Sequence, residues 1–152
     1  DVERSRGLGD VYKRQGVGYA VPDDIDYSMW LKFTMNIFSN QTSAVLNMTF
    51  GEMKYNKAFI DFAKKIIAEV RSVAELKGIN GLENLEKDAL DALSRMCDEG
   101  KTSMHQDILA GRKTEVDIFA GEMIKLGREL GVPVPYNQVL YDMVKIKEAA
   151  NE

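Results

Sequence analysis

From Asp24 to Ala149 the apolar residues return at intervals of three and four, and no stretch keeps the alternation of a half-buried strand. That pattern restricts the chain to packed helices. Pro22-Asp23-Asp24 punctuates the start, with aspartates suited to an N-cap and a first turn. Met29, Trp30, Phe33, Ile37, Phe38, Val45 and Leu46 then mark a first helix. A second is expected from about Asn56 to Lys77, carrying Phe59, Phe62, Ile66, Val70 and Val73, with Gly78 as its stop. A third runs from about Leu82 to Met96. Ser103-Met104-His105-Gln106 has the S-x-x-Q form of a capping box and opens a short helix to about Ala110. Thr114 opens another to Leu130, stopped by Gly131, and Pro135 takes a first-turn position in a last helix through Ala149. Val132-Pro133-Val134 is too short for a strand and is broken by proline. The expectation is an all-α domain of five to seven helices over about residues 24–150, with short loops and no internal repeat.

Composition supplies the core that such a bundle needs and removes several function classes. Of 152 residues, 45% are hydrophobic and 29% charged, the balance of a globular domain. With 24 acidic and 20 basic residues the net charge is −4, which offers no field for a polyanion, so no nucleic-acid partner is expected. Cys97 stands alone and can form neither an internal disulfide nor a cysteine-based metal site. His105 is the only histidine, which excludes a His-rich metal site and leaves a Ser-His-Asp triad without support. Eight Met and one free thiol suit a reducing cytoplasm. No apolar run approaches the roughly 20 residues that cross a bilayer. Phe59 to Val70 is interrupted by Asp61, Lys64, Lys65 and Glu69, so no membrane partner is expected. Residues 1–16 stand apart, charged and without helical or strand period, and they lack the apolar stretch of a signal peptide. Gly7-Leu8-Gly9 has no strand before it and no third glycine at the spacing of a nucleotide loop. This stretch reads as a tail, a linker or extraneous sequence.

Two polar groupings interrupt the apolar pattern. Lys32, Asn36 and Asn40 fall at i, i+4 and i+8, on one face of successive turns, and Ser43 and Asn47 continue the row. The rest of that helix is apolar on most sides, so the row is expected to be buried and to need partners. It is either a polar seam bonded to neighbouring helices or a line of donors facing an oxygen-rich ligand. The second grouping is Ser103 to Asp107 followed by Gly111-Arg112-Lys113-Thr114-Glu115-Val116-Asp117. Here Ser103 reads as a helix cap or a ligand group. Glu115 and Asp117 suit the first turn of a helix, and Asp107 and Arg112 suit a pair across a helix end. His105 reads as a solvated or packed residue.

Trp30-Leu31-Lys32-Phe33-Thr34-Met35-Asn36, with Asn40-Gln41 and Ser43-Ala44 behind it, resembles the opening helix of the C-terminal domain of ketopantoate reductases. Ser103-Met104-x-Gln106-Asp107, Gly111-Arg112-x-Thr114-Glu115-x-Asp117 with Gly121, and Pro135-x-Asn137 followed by a helix ending in Lys145-x-Lys147-Glu148 are similar to the family too. The blocks keep the family's order over about residues 17–150, and Gly16 to Val21 looks like the tail of an interdomain segment. The resemblance implies an all-α, multi-helix C-terminal domain over residues 17–152, like that of 6-phosphogluconate dehydrogenase-type reductases. The N-terminal Rossmann domain is expected to be absent from this chain, which has no βαβ pattern and no G-x-G-x-x-G after a strand.

What the family implies is reduction of 2-dehydropantoate to (R)-pantoate by NADPH, for pantothenate and coenzyme A synthesis. The cofactor would be bound mainly by the other domain. Charge develops on the carbonyl oxygen as hydride arrives, and a positioned acid must neutralise it. By resemblance Lys32 matches that acid, and Glu115 the residue that hydrogen-bonds the substrate hydroxyl. Asn36, Asn40 and Ser103 match substrate-binding positions, and Asp107 a motif position that reads as an orienter behind them. No metal is implied. Phe50 stands before Gly51 where some members carry Asn, which bears on substrate preference. The partner expected is a small-molecule 2-keto acid, with a homodimer left open. Alternatives are a related NADPH-dependent 2-keto acid reductase and a non-catalytic helical dimerisation module; intact Lys32 and Glu115 argue against the module.

Overall fold

Asp24 starts the first helix, its carboxylate accepting the Tyr27 N–H at 2.9 Å. The computed structural model describes residues 24–150; the expectations for residues 1–16 and for Pro22-Asp23 lie outside them. The opening helix is three pieces in line: α1 (Ile25–Met35), a π turn (Asn36–Asn40) and α2 (Gln41–Leu46). Asn47 ends it in the left-handed conformation at φ 56°. There follow α3 (Phe50–Tyr55), α4 (Lys57–Leu76), a 3-10 turn (Leu82–Asn84), α5 (Leu85–Ser94) and α6 (Ser103–Leu109). A second 3-10 turn (Val116–Ile118), α7 (Ala120–Leu130) and α8 (Pro135–Ala149) complete the order. No strand occurs among the described residues, so the fold is all-α. No helix among them is long and apolar enough to cross a membrane.

The boundaries set by local chemistry fall where expected. Asn56 caps α4 through the Phe59 N–H at 3.0 Å, while Gly78 and Gly131 follow their helices at φ 75° and 69°. Other boundaries move. The helix read from Leu82 begins as a 3-10 turn and ends at Ser94. The helix read from Thr114 breaks at Phe119, so α7 starts only at Ala120. Sequence reading missed α3, although Thr49-x-x-Glu52 is a capping box in plain view. The Thr49 N–H donates to the Glu52 carboxylate at 2.7 Å, and the Glu52 N–H returns to Thr49 Oγ1 at 3.3 Å. The segment before α6 straps onto α3: Phe50 N–H donates to the Gly100 carbonyl and Gly51 N–H to the Asp98 carbonyl, both at 2.9 Å. A Cβ at Gly51 would stand 2.9 Å from that of Asp98, so the strap tolerates nothing larger.

The core forms around α4, whose Phe59, Ala63, Ile66, Ile67, Val70, Val73 and Ala74 are buried at helical spacing. One charged residue shares that buried face. Glu69 is 7% exposed, and its carboxylate accepts the N–H groups of Tyr136 and Asn137 at 2.7 and 3.1 Å and the Asn137 side-chain amide at 2.8 Å. Pro135 carries no N–H, so Tyr136 and Asn137 present the first orphan donors of α8. The preceding residue, Val134, has no side chain able to cap them. A carboxylate from the central helix does that work across the core, where the helix dipole also favours it.

Glu69→Ala should therefore lower stability by about 2–4 kcal/mol, because it leaves buried donors unpaired rather than merely removing a contact. Urea unfolding measures this. A loss under about 0.5 kcal/mol would show that packing alone seats α8.

Candidate active site

Lys32 lies in the last turn of α1 and is exposed, with no hydrogen bond or ion pair among the described residues. Sequence reading expected a buried row; the structure corrects this for its upper half. Only Thr34 of α1 is fully buried. Ile25 and Met29, at spacings of seven and three before Lys32, are 55% and 65% exposed on the same face. Burial begins in the π turn, where Ile37, Phe38, Ser39 and Asn40 face the core. Asn40 donates its amide to Asn36 Oδ1 at 3.4 Å. With its oxygen used as acceptor, Asn36 keeps both of its own amide hydrogens for another partner.

A π turn replaces the four-residue hydrogen-bond step of the α-helix by a five-residue one, and side chains add donors around it. Ser39 Oγ donates to the Met35 carbonyl at 2.6 Å, Gln41 Nε2 to Ile37 at 2.7 Å and Ser43 Oγ to Asn40 at 3.0 Å. The row seen in the sequence therefore divides. Lys32 and Asn36 stay accessible. Ser43 turns to Thr102, their hydroxyls 2.6 Å apart, and Asn47 accepts Lys147 Nζ at 3.1 Å. In the lower half Ser43 and Asn47 are bonded to residues of other elements.

The Ser43–Thr102 contact pins the start of α6 to α2, just past the π turn. Thr102, not Ser103, is the N-cap, accepting the His105 N–H at 3.2 Å. Ser103 is the first helical residue, exposed and without a partner among the described residues. The shift by one position frees its hydroxyl. Gln106, expected to close a capping box, donates instead to the Lys101 carbonyl at 3.0 Å.

Glu115 sits on the loop between α6 and α7. Its carbonyl accepts the Ile118 N–H at 3.1 Å, while its side chain is exposed and unpaired among the described residues. Behind it, Arg112 and Asp107 form the expected pair, Nη2 and Nε lying 2.7 and 2.9 Å from Oδ1. Asp107 is thus committed to bracing the loop. Four residues beyond Glu115, the Phe119 ring packs on Phe33, centroids 6.5 Å apart, and Phe33 adjoins Lys32. The aromatic contact ties the turn that follows Glu115 to α1. Among the described residues no cluster of His, Cys, Asp and Glu could hold a metal ion. Described hollows of about 430 Å³ beside Gly127 and Pro135 and about 690 Å³ beside Met48 and Tyr55 are lined by other residues. Lys32 and Glu115 line neither.

The fold is an all-helical domain in which Lys32, Ser103 and Glu115 are exposed and without partners among the described residues. The chain belongs to the ketopantoate reductase family: the family model described as "Ketopantoate reductase PanE/ApbA C terminal" matches residues 24–148. A 2-dehydropantoate 2-reductase of Salmonella typhimurium is 32% identical over 145 residues, covering 95% of this chain and 47% of that protein. One of Pyrobaculum aerophilum is 28% identical over 156 residues, covering 95% of this chain and 56% of the other. The chain spans about half the length of the curated relatives it matches. Among solved structures, a D-mandelate dehydrogenase with NADH and anilino(oxo)acetate superposes at TM-score 0.87 and 23% identity, over 98% of this chain and 49% of that one. A PanE/ApbA family ketopantoate reductase from Ralstonia eutropha gives 0.85 at 23% identity, over 96% and 49%. These likenesses establish the fold.

His105 differs from Lys32, Ser103 and Glu115 in its burial. It is 1% exposed, and its Nδ1 lies 3.2 Å from the Met48 carbonyl. A carbonyl only accepts, so Nδ1 carries the proton and Nε2 is left buried with no partner. Burial chiefly holds this imidazole below the usual histidine pKa, and the charges of Lys101 and Lys147 add to the effect. The Met48 carbonyl and Glu52 oppose it. A native pKa below the unfolded value means that the unfolded chain takes the proton more readily. Stability from this site is complete above about pH 6.5 and is lost as pH falls through the depressed native value. Urea midpoints from pH 8 to pH 5 should fall in the parent chain and fall less in His105→Gln. Equal slopes would show that other groups carry the dependence.

Proposed function

We propose that the chain is the substrate-closing part of a cytoplasmic, NADPH-dependent 2-dehydropantoate 2-reductase, acting with a nucleotide-binding part of the kind that the relatives' greater length accommodates. The observation that supports this is that Lys32, the Asn36 amide, Ser103 and Glu115 are left without partners among the described residues. Their elements are tied together by the Phe33–Phe119 and Ser43–Thr102 contacts. No strand-to-helix glycine turn that would cradle a dinucleotide lies among the described residues, so these side chains would meet the cofactor only near its reacting end. NADPH, when bound, supplies the hydride.

The chain's own residues supply the rest. Lys32 Nζ gives a proton to the carbonyl oxygen as negative charge builds there. The Glu115 carboxylate accepts a hydrogen bond from the substrate hydroxyl and fixes the carbonyl's direction. The Asn36 amide and the Ser103 hydroxyl donate to the substrate carboxylate, and Asn40 holds Asn36 with its donors outward. Neutral donors bind that anion without the tight grip of a salt bridge. A second reading, a reductase of another 2-keto acid, draws on Phe50, which is buried against Gly100 where some family members carry Asn.

The test joins this chain to a nucleotide-binding part and follows NADPH oxidation with 2-dehydropantoate and with other 2-keto acids. Lys32→Ala should cut kcat by about 10²-fold or more, the scale of a lost proton donor. Glu115→Ala should raise KM and lower kcat together, and His105→Gln should change kcat less than about twofold. The 152-residue chain alone should show no turnover. If His105→Gln were as harmful as Lys32→Ala, the proton assignment would fall. A preference for another 2-keto acid would select the second reading.

A further inference from the structure

One side of α8 does more than pack. Tyr141, Lys145 and Glu148 fall at i, i+4 and i+7, so they share a face, and all three reach the loop that carries Glu115. Glu148 Oε1 accepts both the N–H and the hydroxyl of Thr114, each at 2.7 Å. Its other oxygen lies 2.8 Å from Lys145 Nζ, and its side chain is only 11% exposed. Lys145 also faces Asp117 Oδ2 at 3.6 Å, and the Tyr141 hydroxyl donates to Asp117 Oδ1 at 2.9 Å. The Thr114 hydroxyl accepts in turn the Val116 N–H at 3.2 Å. Residues 114, 116 and 117 are therefore all fixed, directly or through one oxygen. Glu115 is the residue between them whose side chain is left free.

We infer that Glu148 and Thr114 form a latch that positions Glu115 for substrate, with Tyr141 and Lys145 as its second anchor through Asp117. This rests on Glu115 having the role proposed above. A purely structural loop closure would be served by any of several capping arrangements. Here one carboxylate takes two donors from the residue immediately before the free one, while the same helix face holds the residue two beyond it. A loop gripped on both sides of one exposed carboxylate fixes the backbone direction from which that side chain projects. Misplacing an orienting group by about 1 Å can cost on the order of 10²-fold in rate.

A double-mutant cycle tests the latch in the joined protein. Glu148→Ala should lower kcat/KM by about tenfold and Thr114→Val by less, because the Thr114 N–H bond survives; Thr114→Ser should behave as the parent. In a Glu115→Ala background, Glu148→Ala should have less than about a twofold further effect, since its action passes through Glu115. In the 152-residue chain, Glu148→Ala should speed hydrogen exchange at the Val116 and Ile118 amides by about tenfold or more, with exchange in α4 unchanged. Equal losses from Glu148→Ala with and without Glu115 would overturn the inference and leave a structural role only. Faster exchange with kcat/KM unaltered would also overturn it. If Glu115→Ala itself were silent, the reading of the site would fail and the latch with it, a result distinct from both.

Discussion

Glu69 is a carboxylate in the middle of the core's longest helix, and burying such a group is costly unless every oxygen finds a donor. Tyr136 and Asn137 supply three. The arrangement locks two helices in register: α4 cannot keep its buried charge without the start of α8, and α8 has no other cap. Much else hangs on that register. With its first turn fixed, α8 presents Leu140 and Val144 to the core and Tyr141, Lys145 and Glu148 to the Glu115 loop. Near its end Lys147 reaches back to Asn47, where the opening helix stops. One buried carboxylate thus bears on elements that the sequence places far apart.

The opening helix meets a different constraint. Its upper part is open on the Ile25–Met29–Lys32 face, while its lower part enters the core. Around the π turn that joins the two parts, Ser39, Gln41 and Ser43 donate to backbone carbonyls. These buried polar residues explain why so apolar a helix carries so many hydroxyls and amides. They answer a backbone need, and Asn36 and Lys32 remain outside that accounting.

Local signals were legible, and cross-chain ones were not. The cap at Asp24, the start of α4, the glycine stops at 78 and 131 and the role of Pro135 each depend on a residue and its near neighbours, which a sequence displays. The all-α architecture followed from periodicity in the same way. Glu69 read only as an interruption of an apolar run, because its partners lie 67 and 68 residues on. The π turn was invisible because the three-and-four spacing of apolar residues runs through it as through a regular helix. The α3 cap is as local as the cap at Asp24, a Thr49-x-x-Glu52 box directly around Phe50-Gly51. In the structure the departure from the family motif at Phe50 is absorbed: the Phe50 ring lies against Gly100, where a Cβ would come within 2.9 Å of it.

Ser103 and Glu115 share one feature that no spacing rule contains. Each stands at a break in the helical ladder, at the first position of α6 and ahead of a 3-10 turn. Breaks leave backbone groups unpaired, and beside each of the two a buried threonine accepts one: Thr102 at α6 and Thr114 next to Glu115. Because the bonded group and the free group are adjacent and chemically alike, sequence reading gave the cap to Ser103 when Thr102 held it. The physical difference between them is burial. Thr102 and Thr114 lie within the packed interior, at 3% and 5% exposure, and so must be bonded; Ser103 and Glu115 lie one step outside and need not be. That one-residue step decides which side chain is spent on the backbone and which is left for another partner.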